Sequence, residues 1–266
     1  MFLFARNLEE DFQFMMEGVE SGIITEARLD EAVTRILAVK AALGLHKSRL
    51  GARQGDVVHQ ESLDLGFAKS VVGNERHLEW AKECADKSIT LVKEQPGVLP
   101  ITPDKYRRIL FHAIESTGGT SIYTVKEACS KVADMLMAEG FAVDIFMPSD
   151  GMEGNVPKTV ETTGTYDLIL YVANLATKSN QTTVRIEWAQ PMGANCGHYI
   201  NDVPTVFVSL ENPYHLLDFP RVKTFINCYS SSGHTIDALI DKLCGRSPFL
   251  GKSPVDPFCG KWDARL

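Results

Sequence analysis

The chain has no apolar run of 18 residues, the length a helix needs to cross a bilayer, so neither a spanning helix nor a membrane partner is expected. Positive charge is not in excess: 27 Lys and Arg stand against 34 Asp and Glu, a formal net charge of −7. No basic patch is visible that could neutralise phosphates, and nucleic acid is not an expected partner. The six cysteines, Cys84, Cys129, Cys196, Cys228, Cys244 and Cys259, contain no CxxC pair and no metal-ligand spacing. They read as buried or free thiols rather than a disulfide frame or a metal site, which points to a reducing compartment and a cytoplasmic location. There is no GxGxxG and no GK[ST], so Gly118-Gly119 reads as a turn, and no cofactor is expected. Residues 1–6, MFLFAR, lack the basic start and cleavage site of a signal peptide.

What the chain does have is enough apolar residues, 44% of 266, for a full core. The clearest pattern lies at 203–246. Residues 203–210, VPTVFVSL, form a β-rich run apolar on both faces, as a strand buried on both sides reads, and Glu211-Asn212-Pro213-Tyr214 stops it. A second such run at 222–229 is followed by Ser230 to Gly233 and a helix at 234–244. Ile236, Leu239, Ile240 and Leu243 fall on one face of that helix, with Asp237, Asp241 and Lys242 away from it. Upstream, helices are expected at 75–86 and 125–138, and strands at 88–93, 108–114, 141–146 and 166–173. The alternation predicts an α/β domain: a mostly parallel sheet covered by helices on both faces, a three-layer sandwich.

The N-terminal stretch is different. Residues 8–19 predict an amphipathic helix with Leu8, Phe12, Met15, Met16 and Val19 on one side, ended by Gly22. Thr25 is placed to cap a second helix at 26–43, whose stripe is Leu29, Val33, Ile36, Leu37 and Leu43, with Gly44 following it. Two such helices with no sheet between them need another surface; left bare, they predict self-association. Residues 46–74 are polar, glycine-containing and without period, and read as a linker.

Several local patterns together resemble glycoside hydrolase family 3. At the N-terminal end they are Ser21-Gly22, Arg28-Leu29-Asp30, Arg35-Ile36-Leu37, Lys40 and Gly44-Leu45. Further on come Ser88-Ile89-Thr90-Leu91-Val92-Lys93 ahead of Leu99-Pro100, then NPY at 212–214, YSSS at 229–232, and Gly251-Lys252-Ser253-Pro254-Val255, where Ser253 replaces the commoner leucine. The resemblance implies that 1–45 are the last helices of a (β/α)8 barrel, with residues 1–4 the tail of its final strand. It implies that 46–74 link to a C-terminal α/β sandwich domain at 75–266, and that the rest of the barrel is absent from this chain. It also implies a retaining hydrolase of terminal β-linked sugars, most closely a β-N-acetylglucosaminidase and otherwise a β-glucosidase. A carbohydrate substrate would bind once the barrel is joined. The alternative is a non-catalytic carbohydrate- or protein-binding accessory module.

Retaining glycosidases need a carboxylate nucleophile and an acid/base about 5 Å apart. The family's nucleophile is a barrel aspartate, so no catalytic nucleophile is assigned here, and the chain alone is expected to be inactive. The acid/base differs between branches. In the N-acetylglucosaminidase branch it is an Asp-His dyad on a barrel loop, and residues 182–193, TTVRIEWAQPMG, resemble that branch, which would leave this domain without a catalytic residue. In the β-glucosidase branch it is a glutamate of the C-terminal domain, and Glu187 in Arg185-Ile186-Glu187-Trp188 is the candidate. Arg185 and Trp188 are candidate substrate-binding residues, since a tryptophan beside a carboxylate could stack on a sugar and raise its pKa by desolvation. The plainer reading makes Arg185 and Glu187 solvent-facing alternates of an extended segment with Trp188 packed on the domain. His112, in an apolar strand, reads as a hydrogen-bonded core residue. His198, near Cys196 and Asp202, forms a loose cluster with no oriented base.

Overall fold

The computed structural model describes residues 6–48, 65–115, 127–146, 164–177, 185–188 and 196–265. The expected barrel-strand tail at 1–4, the Gly118-Gly119 turn and much of the expected linker lie outside these residues. The chain separates into two compact units, Met1–Asn74 and Glu75–Leu266.

The first unit is helical. Helix α1 (Leu8–Glu20) starts at Asn7, whose side chain accepts from the amides of Glu9 and Glu10 at 3.1 and 3.2 Å. Helix α2 (Glu26–Ala42) starts at Thr25, whose hydroxyl accepts from Arg28 N at 3.3 Å, and Gly44 at φ +66° turns the chain out of it. No residue of either helix is buried: Leu8, Phe12 and Leu37 are more than half exposed. Short helices α3 (Leu45–Ser48) and α4 (Leu65–Val71) follow. The second falls inside the stretch expected to be without period. Seven residues span only two turns, too few for a 3.6-residue repeat to show.

The second unit carries the sheet. It runs α5 (Glu75–Ser88), β1 (Thr90–Lys93), β2 (Arg108–Glu115), α6 (Glu127–Ala138), β3 (Ala142–Ile145), β4 (Leu168–Asn174), β5 (Thr205–Ser209), a 3-10 turn (His215–Leu217), β6 (Thr224–Asn227), α7 (Gly233–Leu243) and a last 3-10 turn (Asp263–Arg265). Strand order is β1-β6-β5-β4-β2-β3, parallel throughout except β1, which pairs antiparallel with β6 at the edge. The mostly parallel α/β sheet is therefore the architecture found.

The central strands are buried on both faces because successive side chains serve two cores. Phe111, Leu170, Val172, Val208 and Ile226 pack with Val132, Leu136, Leu239 and Leu243 of α6 and α7. Tyr171, Phe207 and Phe225 point the other way, toward Ile186, Tyr199, Leu216, Phe219 and Val222. Among the described residues this second face is covered by connecting segments and a 3-10 turn.

Lys242 departs from its expected place on the open side of α7. Its side chain is fully buried, and the ammonium donates to Asp86 Oδ1 at 2.8 Å, Ser247 Oγ at 3.0 Å and the Pro248 carbonyl at 2.7 Å. A long side chain reaches past the edge of a helical stripe when its charged end finds a carboxylate there.

Candidate functional site

The polar groups worth weighing gather on the second face of the sheet, around the middle and C-terminal ends of β2, β4 and β5. This is the end at which open α/β sheets present ligand-binding groups. His112 of β2 and Tyr171 of β4 are register partners, their rings stacked at 4.3 Å with 8° between planes. The hydroxyls of Tyr171 and Tyr199 lie 2.9 Å apart, and Tyr199 is hydrogen-bonded in turn to Nε2 of His112. Burial holds the imidazole near a pKa of about 3 and pushes both phenols up, so the row is uncharged at neutral pH. His112 is thus a core residue, as its strand pattern suggests. Its Nδ1 is buried without a hydrogen-bond partner among the described residues.

Beside this row lies the four-residue segment that carries the candidates. Ile186 is buried, and Trp188 packs its ring against Phe219 at 5.7 Å and edge-on to Tyr171 at 6.5 Å. Arg185 pairs through Nε with Asp218 Oδ1, and its Nη2 reaches the Leu217 carbonyl at 3.4 Å. The other oxygen of Asp218 accepts from Ile186 N at 3.1 Å. Glu187 faces out, exposed, with no hydrogen bond or ion pair among the described residues. The structure thus brings Arg185, Glu187 and Trp188 into one short segment but gives them separate surroundings: a carboxylate for Arg185, an aromatic cluster for Trp188 and solvent for Glu187. Asp218 has no sequence signal, because it stands 33 residues from its partner.

The loose cluster resolves in part. Cys196 Sγ lies 3.0 Å from His198 Nε2, but burial pushes the thiol up, which keeps it protonated, and no hydrogen bond joins His198 to Asp202. Gly197 sits where a Cβ would fall 2.2 Å from Phe219, so the backbone of this turn is pressed onto the ring that also carries Trp188. On β5, Ser209 Oγ donates to the Asn212 carbonyl at 2.5 Å and meets His215 Nδ1 at 2.8 Å. Asn227, the register partner of Ser209 on β6, donates to the Pro213 carbonyl at 3.2 Å. The NPY turn is thereby tied to the ends of two strands. Among the described residues no three His, Cys, Asp or Glu side chains converge as a metal site.

Within the 185–188 segment, Glu187 is the carboxylate, exposed and without a hydrogen bond or ion pair among the described residues. No protein-family model matches the chain. A beta-N-acetylglucosaminidase/beta-glucosidase of Cellulomonas fimi is 50% identical over 268 residues, taking in 100% of this chain and 45% of that protein. The solved beta-glucoside phosphorylase BglX is 41% identical with a TM-score of 0.70, covering 98% of this chain and 44% of its own. The chain belongs to glycoside hydrolase family 3. It spans less than half the length of these relatives and corresponds to the C-terminal part of a family 3 enzyme. A family 3 beta-N-acetylglucosaminidase from Paenibacillus sp., 21% identical with a TM-score of 0.50 over 91% of this chain and 41% of its own, shares the fold.

Proposed function

We propose that this chain supplies the C-terminal portion of a family 3 enzyme that cleaves terminal β-linked glucosides or N-acetylglucosaminides with retention. The observation that carries this reading is the 50% identity to the Cellulomonas fimi protein over the whole chain. The nucleophilic carboxylate lies in the barrel portion, and so does the acid/base if the chain follows the N-acetylglucosaminidase branch; in the β-glucosidase branch Glu187 is the carboxylate this chain offers for that role. One group must attack the anomeric carbon while another protonates the leaving oxygen, and a single carboxylate cannot run both steps. The exposed apolar residues of α1 and α2, Leu8, Phe12, Val33 and Leu37 among them, would be covered by that same portion. When that portion is absent they drive self-association.

The test joins the chain to the N-terminal remainder of a family 3 relative and compares it with Glu187→Gln. Turnover of an aryl glycoside with a poor leaving group should fall about 10²–10⁴-fold, the usual contribution of a general acid. Unchanged turnover removes Glu187 and assigns proton transfer to the barrel.

The name of the 41%-identical structure favours a second reading, phosphorolysis. The barrel carboxylate would still displace the aglycone, whose oxygen takes a proton, and a phosphate oxygen would then displace that carboxylate in place of water, releasing sugar 1-phosphate instead of free sugar. Phosphorus NMR of a reaction run with inorganic phosphate separates the two readings.

A further inference from the structure

We propose that the cleft between the end of β1, the start of β6 and the last 3-10 turn binds a phosphate group, free or carried by a sugar, through Lys93, Lys223 and Arg265. The cleft has a volume of about 460 Å³, within the range of small-molecule sites. Val92 and the half-buried ring of Phe258 give it an apolar lining, both packed on the second core of the sheet. Among its described lining residues three side chains are cationic and one, Glu94, is anionic, a net charge of +2. A chain whose formal charge is −7 thus gathers positive charge here.

The placement of Lys93 is built into the strand. β1 and β6 pair as Thr90 with Asn227 and Leu91 with Ile226, and then Lys93, not Val92, pairs with Phe225. This bulge changes the face that the lysine serves. Leu91 packs toward the helices and Val92 toward the opposite side, so regular alternation would return Lys93 to the helices. The bulge gives it instead the face of Phe225, where its Nζ donates to the Pro220 carbonyl at 3.1 Å. The turn that follows is pinned to β6, with Gln95 N donating to Thr224 Oγ1 at 3.1 Å, next to Lys223. Arg265 arrives from a distant part of the chain, its guanidinium 4.1 Å above the Phe258 ring and 3.6 Å from Asp256. A guanidinium has five N–H donors, so that contact leaves others for a ligand.

Three cations from three segments suit a phosphate better than a carboxylate. A phosphate monoester carries about two negative charges near pH 7 and has three terminal oxygens, whereas a carboxylate has one charge and two oxygens. Burial lowers the pKa of Lys93 below its ordinary value, and an anion beside the ammonium would offset that penalty. A cleft of this volume also has room for a sugar ring attached to the phosphate, lying against Phe258. The inference stands on the cleft and does not rest on the function proposed above.

Equilibrium dialysis of the 266-residue chain at constant ionic strength tests it with inorganic phosphate, glucose 6-phosphate and glucose as probes. Expected is saturable binding of a phosphate-bearing probe, weakened about tenfold or more by Lys223→Met or by Arg265→Gln, the usual cost of a lost charge-assisted hydrogen bond. Both side chains are exposed, so neither substitution disturbs the core. Glu94→Gln, which removes the carboxylate of the lining, should tighten binding, and Lys82→Met on α5, away from the cleft, should leave it unchanged. Tighter binding of glucose 6-phosphate than of inorganic phosphate makes a sugar phosphate the ligand; the reverse order makes it free phosphate. Absence of saturable binding, equal binding of glucose, or a loss as large in Lys82→Met as in Lys223→Met overturns the assignment.

Discussion

Lys242 and Asp86 join the last turns of α7 and α5 by an ion pair of 2.8 Å in which the ammonium is wholly buried and the carboxylate is 41% exposed. The pair holds Asp86 below the usual carboxylate range, mainly through the hydrogen bonds from Lys242 and Ser247. The burial is lopsided, so the two ends should not cost the same to remove. Asp86→Ala leaves a buried ammonium with a hydroxyl and a carbonyl as partners and should destabilise by about 3–5 kcal/mol. Lys242→Met removes the buried charge, fills most of the space and lets Asp86 rehydrate, so it should cost less. Urea denaturation of the two variants ranks them.

Gly251 makes a second local prediction. Its amide donates to the Ile89 carbonyl at 3.3 Å, and a Cβ there would lie 2.3 Å from Ser88 O and 2.5 Å from Ile89 O. These are backbone atoms beside the edge strand β1, so neither can swing aside. Gly251→Ala should push the tail off β1 and cost about 1–3 kcal/mol, the usual penalty for overpacking. A fall in thermal midpoint, with loss of protection at the Gly251 amide, is the expected reading.

Two buried imidazoles set a pH dependence. Burial lowers His112 to about 3 and His215 to about 4, both below the value in an unfolded chain. Above about pH 6.5 both are neutral in either state and add no slope; below it the unfolded chain takes up protons that the folded one refuses. Stability should therefore fall with acidification from about pH 6.5 toward each folded pKa, by about 1.4 kcal/mol per pH unit for each imidazole. His215→Asn should remove one proton from that slope. Denaturation curves across this range, wild type against variant, show whether it does.

The sheet was legible in the sequence because its strands are apolar on both faces and its helices keep a 3.6-residue repeat. Val206-Phe207-Val208 and the Ile236, Leu239, Ile240, Leu243 stripe are each enough to name their element. Strand order and the antiparallel edge of β1 were not legible, since residues 90 and 227 meet only through pairing across the chain. Lys242 misled because helical position says where a Cβ points, not where a four-carbon stem ends. At the candidate site the plainer reading is the one found, with Glu187 exposed and Trp188 packed on the domain, but the partners that hold them were not legible. Which of the two turns inward depends on Phe219 and Asp218, distant residues that no local pattern links to them.

The bare stripes of α1 and α2 give a prediction for the chain by itself. Phe12 is 65% and Leu37 57% exposed, and apolar side chains left open on a helix face promote association. Light scattering should show the isolated chain self-associating, and Phe12→Glu with Leu37→Glu should shift it toward monomer. A monodisperse wild type that binds no hydrophobic dye would speak against it.

The central claim is that this chain is one part of a catalyst whose attacking carboxylate lies elsewhere. Aglycone release from an aryl β-glucoside and an aryl β-N-acetylglucosaminide tests it most directly, measured for the 266-residue chain alone and for the same chain joined to a family 3 barrel portion. The account predicts background rates for the first and turnover for the second. Equal turnover by the chain alone would contradict it.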